Sequence, residues 1–207
     1  MQEHWEKVYG TKVPDQVSWF RPHLETSISL IERATRGDCT ASIVDVGGGA
    51  STLVDDLLDR GYENVTVVDI SQTALDIAQK RLGQRAGAVR WVRGDVTQVF
   101  LTTCSFDVWH DRAVFHFLTE PADRFAYVHG VTSAVKPGGH VIVSTFGPDG
   151  PMKCSGLNVV RYDAGTLHAE FGPKFDLVES RQEIHETPFG TTQQFVYCYC
   201  TVESSTH

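Results

Sequence analysis

Ile43-Val44-Asp45-Val46-Gly47-Gly48-Gly49-Ala50-Ser51 runs from β-branched residues through an acid into three glycines. The β-branched run reads as a buried strand, the glycines as a turn and the residues after them as a helix. Within 51–60, Leu53, Val54, Leu57 and Leu58 lie on one side of that helix and Asp55, Asp56 and Asp59 on another. Glycine lets backbone approach a bound molecule closely, and a helix N-terminus presents free N–H groups and a positive dipole. A strand, glycine turn and helix in this order point to a nucleotide-like ligand. The dinucleotide fingerprint needs a further glycine where Thr52 stands, and no G-K-[ST] phosphate loop occurs in the chain.

On both sides of this stretch, short apolar runs alternate with longer amphipathic ones, the pattern of βαβ units and a parallel sheet. Strands are expected at 42–46, 65–69, 88–92, 106–110 and 140–145, and helices at 72–82 and from Pro121 onward. In the latter, Phe125, Val128, Thr132 and Val135 are expected to share a face, and Lys136-Pro137-Gly138-Gly139 to end it. After a Gly/Pro-rich loop (146–157), a short helix near 163–171 precedes strands near 175–184 and 194–202, which suit a closing antiparallel hairpin. Before residue 42, segments 2–9 and 24–36 look helical. The expected fold class is α/β: a mostly parallel seven-stranded sheet with helices on both faces and a C-terminal antiparallel hairpin. One domain (1–207) is expected, divided into an N-terminal helical cap (1–38), a ligand-binding core (39–145) and a substrate-side loop with closing strands (146–207).

Two further acids follow strands. Asp69 closes the second, and Asp95 follows the third in Arg93-Gly94-Asp95-Val96. Acids at three successive strand ends suit a ligand with an ammonium group, a ribose diol and an exocyclic amine, and Asp45 would repel a pyrophosphate. The segments VDVGGGAS (44–51), VVDIS (67–71), GDV (94–96) and KPGG (136–139), in this order, resemble the class I, seven-β-strand methyltransferases that use S-adenosylmethionine on a Rossmann-like fold. The likeness covers about 40–145 well. Ser51 stands where the family pattern has its last glycine. By that resemblance, Asp45 faces the methionine ammonium through the loop of Gly47, Gly49 and Ser51, and Asp69 holds the ribose hydroxyls. Ile70 packs on the adenine, Asp95 accepts from its amino group and the Val96 backbone N–H donates to the ring.

The acceptor side is expected around the end of the fourth strand, Trp109-His110-Asp111-Arg112, and the following Ala113-Val114-Phe115-His116-Phe117. Ionisable groups directly after a buried strand are costly unless used or paired. His110 and His116 are candidate general bases and Asp111 a candidate orienting carboxylate. Trp19, Arg112, Cys154 and His185 are expected on the substrate side, with no metal. The layout of Trp5, Tyr9 and Trp19 is similar to small methyltransferases that modify lysines or N-termini of elongation factor, although their D-K-G and the [DN]-P-P-[FYW] of planar-amine enzymes are absent.

With 18 Lys and Arg against 26 Asp and Glu, the net charge of −8 disfavours a nucleic-acid or anionic-membrane surface. No apolar run reaches the length of a membrane span. Five cysteines without a C-x-x-C pair read as reduced thiols in the cytoplasm. The expected activity is methyl transfer from S-adenosylmethionine to an oxygen, nitrogen or sulfur nucleophile on a small molecule. A protein acceptor, a nicotinamide-dependent oxidoreductase and a non-catalytic S-adenosylmethionine-binding module are the alternatives.

Overall fold

The structure, a computed structural model, describes residues 1–12 and 16–204. Helices α1 (Gln2–Thr11) and α2 (Glu25–Thr35) precede β1 (Ser42–Val46), α3 (Leu53–Asp59), β2 (Asn64–Asp69), α4 (Gln72–Leu82) and β3 (Val89–Arg93). The chain continues through β4 (Phe106–Arg112), α5 (Pro121–Ala134) and β5 (Val135–Phe146). A short ribbon of β6 (Lys153–Cys154) and β7 (Leu157–Asn158) leads to α6 (Ala164–Phe171), β8 (Phe175–Glu186) and β9 (Thr192–Val202).

The seven-stranded sheet has the order β3-β2-β1-β4-β5-β9-β8. Strands β1 to β5 pair in parallel, and β9 runs antiparallel to both β5 and β8. Because helices cover both faces, β1 is buried on both sides rather than on alternate residues, and Ile43, Val44, Asp45 and Val46 are all buried. One core cluster holds Ile28, Ile31, Leu53, Leu57 and Leu75 from α2, α3 and α4; the other holds Tyr127, Val131 and Leu167 from α5 and α6. Successive strands leave β1 in one direction to β3, then return to β4 on its other side. That reversal opens a crevice at the carboxyl ends of β1 and β4, the place where open α/β sheets bind ligands.

Four details differ from the expectation. Phe125 is exposed, and the buried face of α5 is Tyr127, Val131 and Ala134, at i, i+4 and i+7. Lys136-Pro137-Gly138-Gly139 does not end the helix but opens β5, where Val135 pairs with Phe106 across a register irregularity. The loop after β5 contains the β6–β7 ribbon. Helix α2 is a core element rather than a cap, since Leu30 and Ile31 are fully buried.

Candidate active site

The turn after β1 has no room for side chains. Gly47 has φ +69°, and a Cβ there would lie 2.0 Å from Val114 Cγ2. At Gly48 it would lie 2.2 Å from Asp45 Oδ2, and at Gly49 2.5 Å from both Asp69 Oδ2 and Ala74 Cβ. The Gly49 N–H donates to Asp69 Oδ2 (3.0 Å) and the Ser71 N–H to Oδ1 (2.8 Å), so Asp69 ties the glycine loop to the start of α4. Burial pushes the Asp69 carboxyl up to about 6, although these backbone donors pull the other way.

A cavity of about 350 Å³ opens beside this turn. Asp69, Ile70, Asp95 and Val96 line one flank together with Gly47. Oδ1 of Asp95 accepts from the Thr97 N–H (2.9 Å) and hydroxyl (2.7 Å), which fixes the carboxylate. Trp5, Tyr9, Trp19, Arg112, Phe117 and Cys154 line the rest. A smaller cavity of about 50 Å³ adjoins it, bounded by Asp45, Gly47, Ser51, His110, Arg21 and Arg112. Burial pushes the Cys154 thiol up to about 12, so it is no thiolate at neutral pH.

His110 and Asp45 are register partners on β4 and β1, and His110 Nδ1 lies 2.7 Å from Asp45 Oδ1. An acceptor there fixes the tautomer with Nδ1 protonated. Asp45 Oδ2 and His110 Nε2 are buried, with no hydrogen-bond partner among the described residues. The other candidates do not join them. Asp111, one residue on, faces the opposite side of the sheet, as strand neighbours must. Its carboxylate accepts from the Val114 N–H (2.8 Å), the Phe115 N–H (3.1 Å) and the Tyr127 hydroxyl (2.7 Å), anchoring the turn after β4. His116 lines neither cavity: its Nδ1 accepts from the Phe146 N–H (3.2 Å), and burial, with the Arg112 charge, holds it down at about 3. His185 also lies outside, with Nε2 2.7 Å from the Ser18 carbonyl, tying β8 to the segment before α2.

Helix α1 closes over the larger cavity. Trp5, Tyr9 and Trp19 meet with ring centroids 5.7–6.5 Å apart, and Trp5 reaches Phe117 at 5.2 Å. From the same helix, Glu6 crosses to the N-terminus of α4. It accepts from the Ser71 hydroxyl (3.0 Å), the Gln72 N–H (2.8 Å) and the Thr73 N–H (3.1 Å). Hydrogen bonds from Thr73, Gln72 and Ser71 outweigh desolvation and hold its carboxyl down at about 2. A carboxylate on the free donors of a helix start is favoured by the dipole as well.

Residues 43–139 match the family described as a methyltransferase domain. That stretch, just under half of the chain, carries the methyltransferase domain. It is similar to the malonyl-[acyl-carrier protein] O-methyltransferase of Halalkalibacterium halodurans, 30% identical over 129 residues that make up 59% of this chain and 46% of that protein. It is also similar to the eEF1A lysine and N-terminal methyltransferase of Mus musculus, 24% identical over 110 residues, 53% of this chain and 15% of that protein. The chain thus spans less than half the length of these curated relatives. The N-methyltransferase NodS from Bradyrhizobium japonicum, solved with S-adenosylhomocysteine, superposes with a TM-score of 0.71 at 14% identity, over 95% of this chain and 97% of that one. That likeness shows the fold.

The family's cofactor fits the residues present. The turn after β1 is a backbone cradle that any Cβ would fill, and an unpartnered buried carboxylate oxygen on Asp45 suits an ammonium group. Among the described residues, no helix is long and apolar enough to cross a membrane, and no cluster of three His, Cys, Asp or Glu side chains suits a metal ion.

Sequence reasoning missed Glu6 and Glu183. Glu6 has a partner 65 residues away and leaves no local signal. Glu183 sits two residues before His185 on β8, so the alternation of a strand does place them on one face.

Proposed function

We propose that this methyltransferase moves the methyl group of S-adenosylmethionine to a small-molecule acceptor in the cytoplasm. When bound, the cofactor supplies a methyl group on a sulfonium, which an acceptor nucleophile displaces in one in-line step. The observation that carries this reading is the cavity itself: its nucleoside flank carries Asp69 and Asp95, and its opposite wall is built from the chain's own N-terminal aromatics. An acceptor must fit inside that enclosure, which favours a small molecule over a folded protein.

Asp45 uses Oδ1 to orient His110 and turns Oδ2 toward the glycine loop, where it would meet the ammonium group. Asp69 would accept from the ribose diol, with Ile70 and Val96 against the adenine and Asp95 on its amine. Ser51 would close the loop beside the methionine moiety, and Arg21 would face its carboxylate. His110 Nε2, left as the acceptor nitrogen, borders the small cavity and would take a proton from an acceptor group that reaches from the large cavity past Gly47. Asp111 and His116 would act through the fold, and Trp19 and Cys154 would form part of the acceptor wall.

Calorimetry with S-adenosylhomocysteine tests the cofactor site. Asp69→Ala should cost roughly 1–3 kcal/mol, about ten- to a hundredfold in affinity, because two hydroxyls lose their acceptor. In the wild type, affinity should fall as the pH drops through about 6 and the Asp69 carboxylate takes up its proton. Unchanged affinity in Asp69→Ala refutes the assignment. Cell extract incubated with methyl-labelled cofactor then separates the acceptor classes: label is expected in the small-molecule fraction, and label confined to protein would favour the second relative's class of acceptor.

A further inference from the structure

Arg112 ends β4 with only 6% of its side chain exposed. Its guanidinium lies 4.4 Å from the centre of the Phe195 ring, and Nη1 donates to the Trp19 carbonyl (3.1 Å). Nη2 is 3.5 Å from Glu183 Oε1, and the same oxygen is 3.0 Å from Arg21 Nη1. Arg21 has a second carboxylate in Glu25 (3.5 Å), whereas the shared Glu183 is the one carboxylate Arg112 has among the described residues, and at the longer distance. Nε and Nη2 of Arg112 make no hydrogen bond to any described residue. A buried guanidinium with donors to spare is expensive unless an anion meets it.

The two cations divide the space. Arg21 borders the small cavity beside the glycine loop, whereas Arg112 borders that cavity and the large one, next to Trp19, Phe117 and Cys154. The large cavity is thus polarised, with acids on its nucleoside flank and a cation across from them. The acids suit a cationic cofactor. A second molecule entering beside Trp5, Trp19 and Phe117 meets aromatic faces and a guanidinium, whose planar fork matches a carboxylate.

We propose that Arg112 anchors a carboxylate of the methyl acceptor, so that the acceptor class is a small organic acid with an aromatic or apolar body. The proposal rests on the cofactor reading above. The cofactor's own carboxylate is the other source of the same chemistry, and the test separates the two.

The experiment titrates the protein, saturated with S-adenosylhomocysteine, with benzoate, phenylacetate and monomethyl malonate, each paired with its neutral amide. Ligand-detected saturation-transfer NMR reads binding and calorimetry reads affinity. At least one carboxylate should bind saturably, about tenfold or more tightly than its amide, and Arg112→Met should remove that preference. Glu183→Gln, which frees Arg112 from its partner, should tighten the same carboxylate severalfold; this variant decides the matter if Arg112→Met does not fold. Absence of saturable binding by every carboxylate, equal binding by acid and amide, or no tightening in Glu183→Gln overturns the proposal. Carboxylates that bind only cofactor-free protein and are displaced by S-adenosylhomocysteine also overturn it, giving the cation to the cofactor while leaving the cofactor site standing. Failure of S-adenosylhomocysteine itself to bind would instead strike at the reading beneath it.

Discussion

At the carboxyl ends of β2 and β3, the acids are set by residues within a few positions of them or by the adjacent turn, whereas Asp45 at the end of β1 reaches across to His110. Asp69 takes N–H groups from Gly49 and Ser71, and Asp95 from Thr97. From β4 to β8, apart from Asp111 with its local donors Val114 and Phe115, the polar groups are set by partners far away in the chain: Arg112 by Trp19 and Glu183, His185 by Ser18, His116 by Phe146. The first half is a backbone-built receptor whose shape leaves little freedom. The second is a mosaic of side chains from the N-terminal segment, β5 and the closing hairpin, and it keeps several buried polar atoms without a described partner. A shared cofactor asks for the rigid half, and a varied acceptor asks for the other.

The comparison breaks most visibly if His116 belongs to chemistry rather than to the mosaic's architecture. It stays neutral in the folded chain down to about 3, whereas an unfolded histidine takes a proton near 6.5. Between those values the unfolded state binds more protons, so the stability His116 contributes is full above 6.5 and is lost as the pH falls toward 3. Denaturant melts at pH 7 and pH 4 should therefore show the wild type losing roughly 3 kcal/mol more than His116→Gln. Equal losses would show that the ring is accessible to solvent protons.

The rigid half is tested by Gly49→Val, which forces a branched side chain onto Asp69 Oδ2 and Ala74 Cβ. Affinity for S-adenosylhomocysteine should fall by about a hundredfold or more, as overpacking by a few kcal/mol implies. Retained affinity would mean that the turn is pliable and the contrast between the halves false.

Glu6 joins the halves, because it holds the aromatic helix of one against the α4 start of the other. Removing such a cap costs about 1 kcal/mol, so Glu6→Ala should release S-adenosylhomocysteine about fivefold faster in stopped-flow experiments. An unchanged release rate would show that α1 does not hold the cofactor in.

The two halves also differ in how far they could be read from the chain. Asp45, Asp69 and Asp95 announce themselves by standing at strand ends beside glycine or turn residues, a purely local signal, and the element order follows from periodicity. The pairing of His110 with Asp111 as one catalytic unit ignores the alternation of β4, which the sequence does carry. The hydrogen bond of His116 to Phe146 and the cap by Glu6 depend on contacts 30 and 65 residues apart, for which no pattern in the sequence stands proxy. Phe125 misleads because an apolar residue on a helix need not be buried, and the weak amphipathicity of α5 leaves its inner face ambiguous.

His110 and Arg112 look into the site while Trp109 and Asp111 look into the opposite core, so β4 works like a two-sided key. Substitutions at 110 or 112 recut one side and leave the Asp111 anchor engaged. A single inserted or deleted residue within the strand would turn the key over, burying the site groups against α5 and exposing Trp109 and Asp111 to ligand. Exchange of side chains along β4 therefore alters one face at a time, whereas any change of length within the strand inverts both.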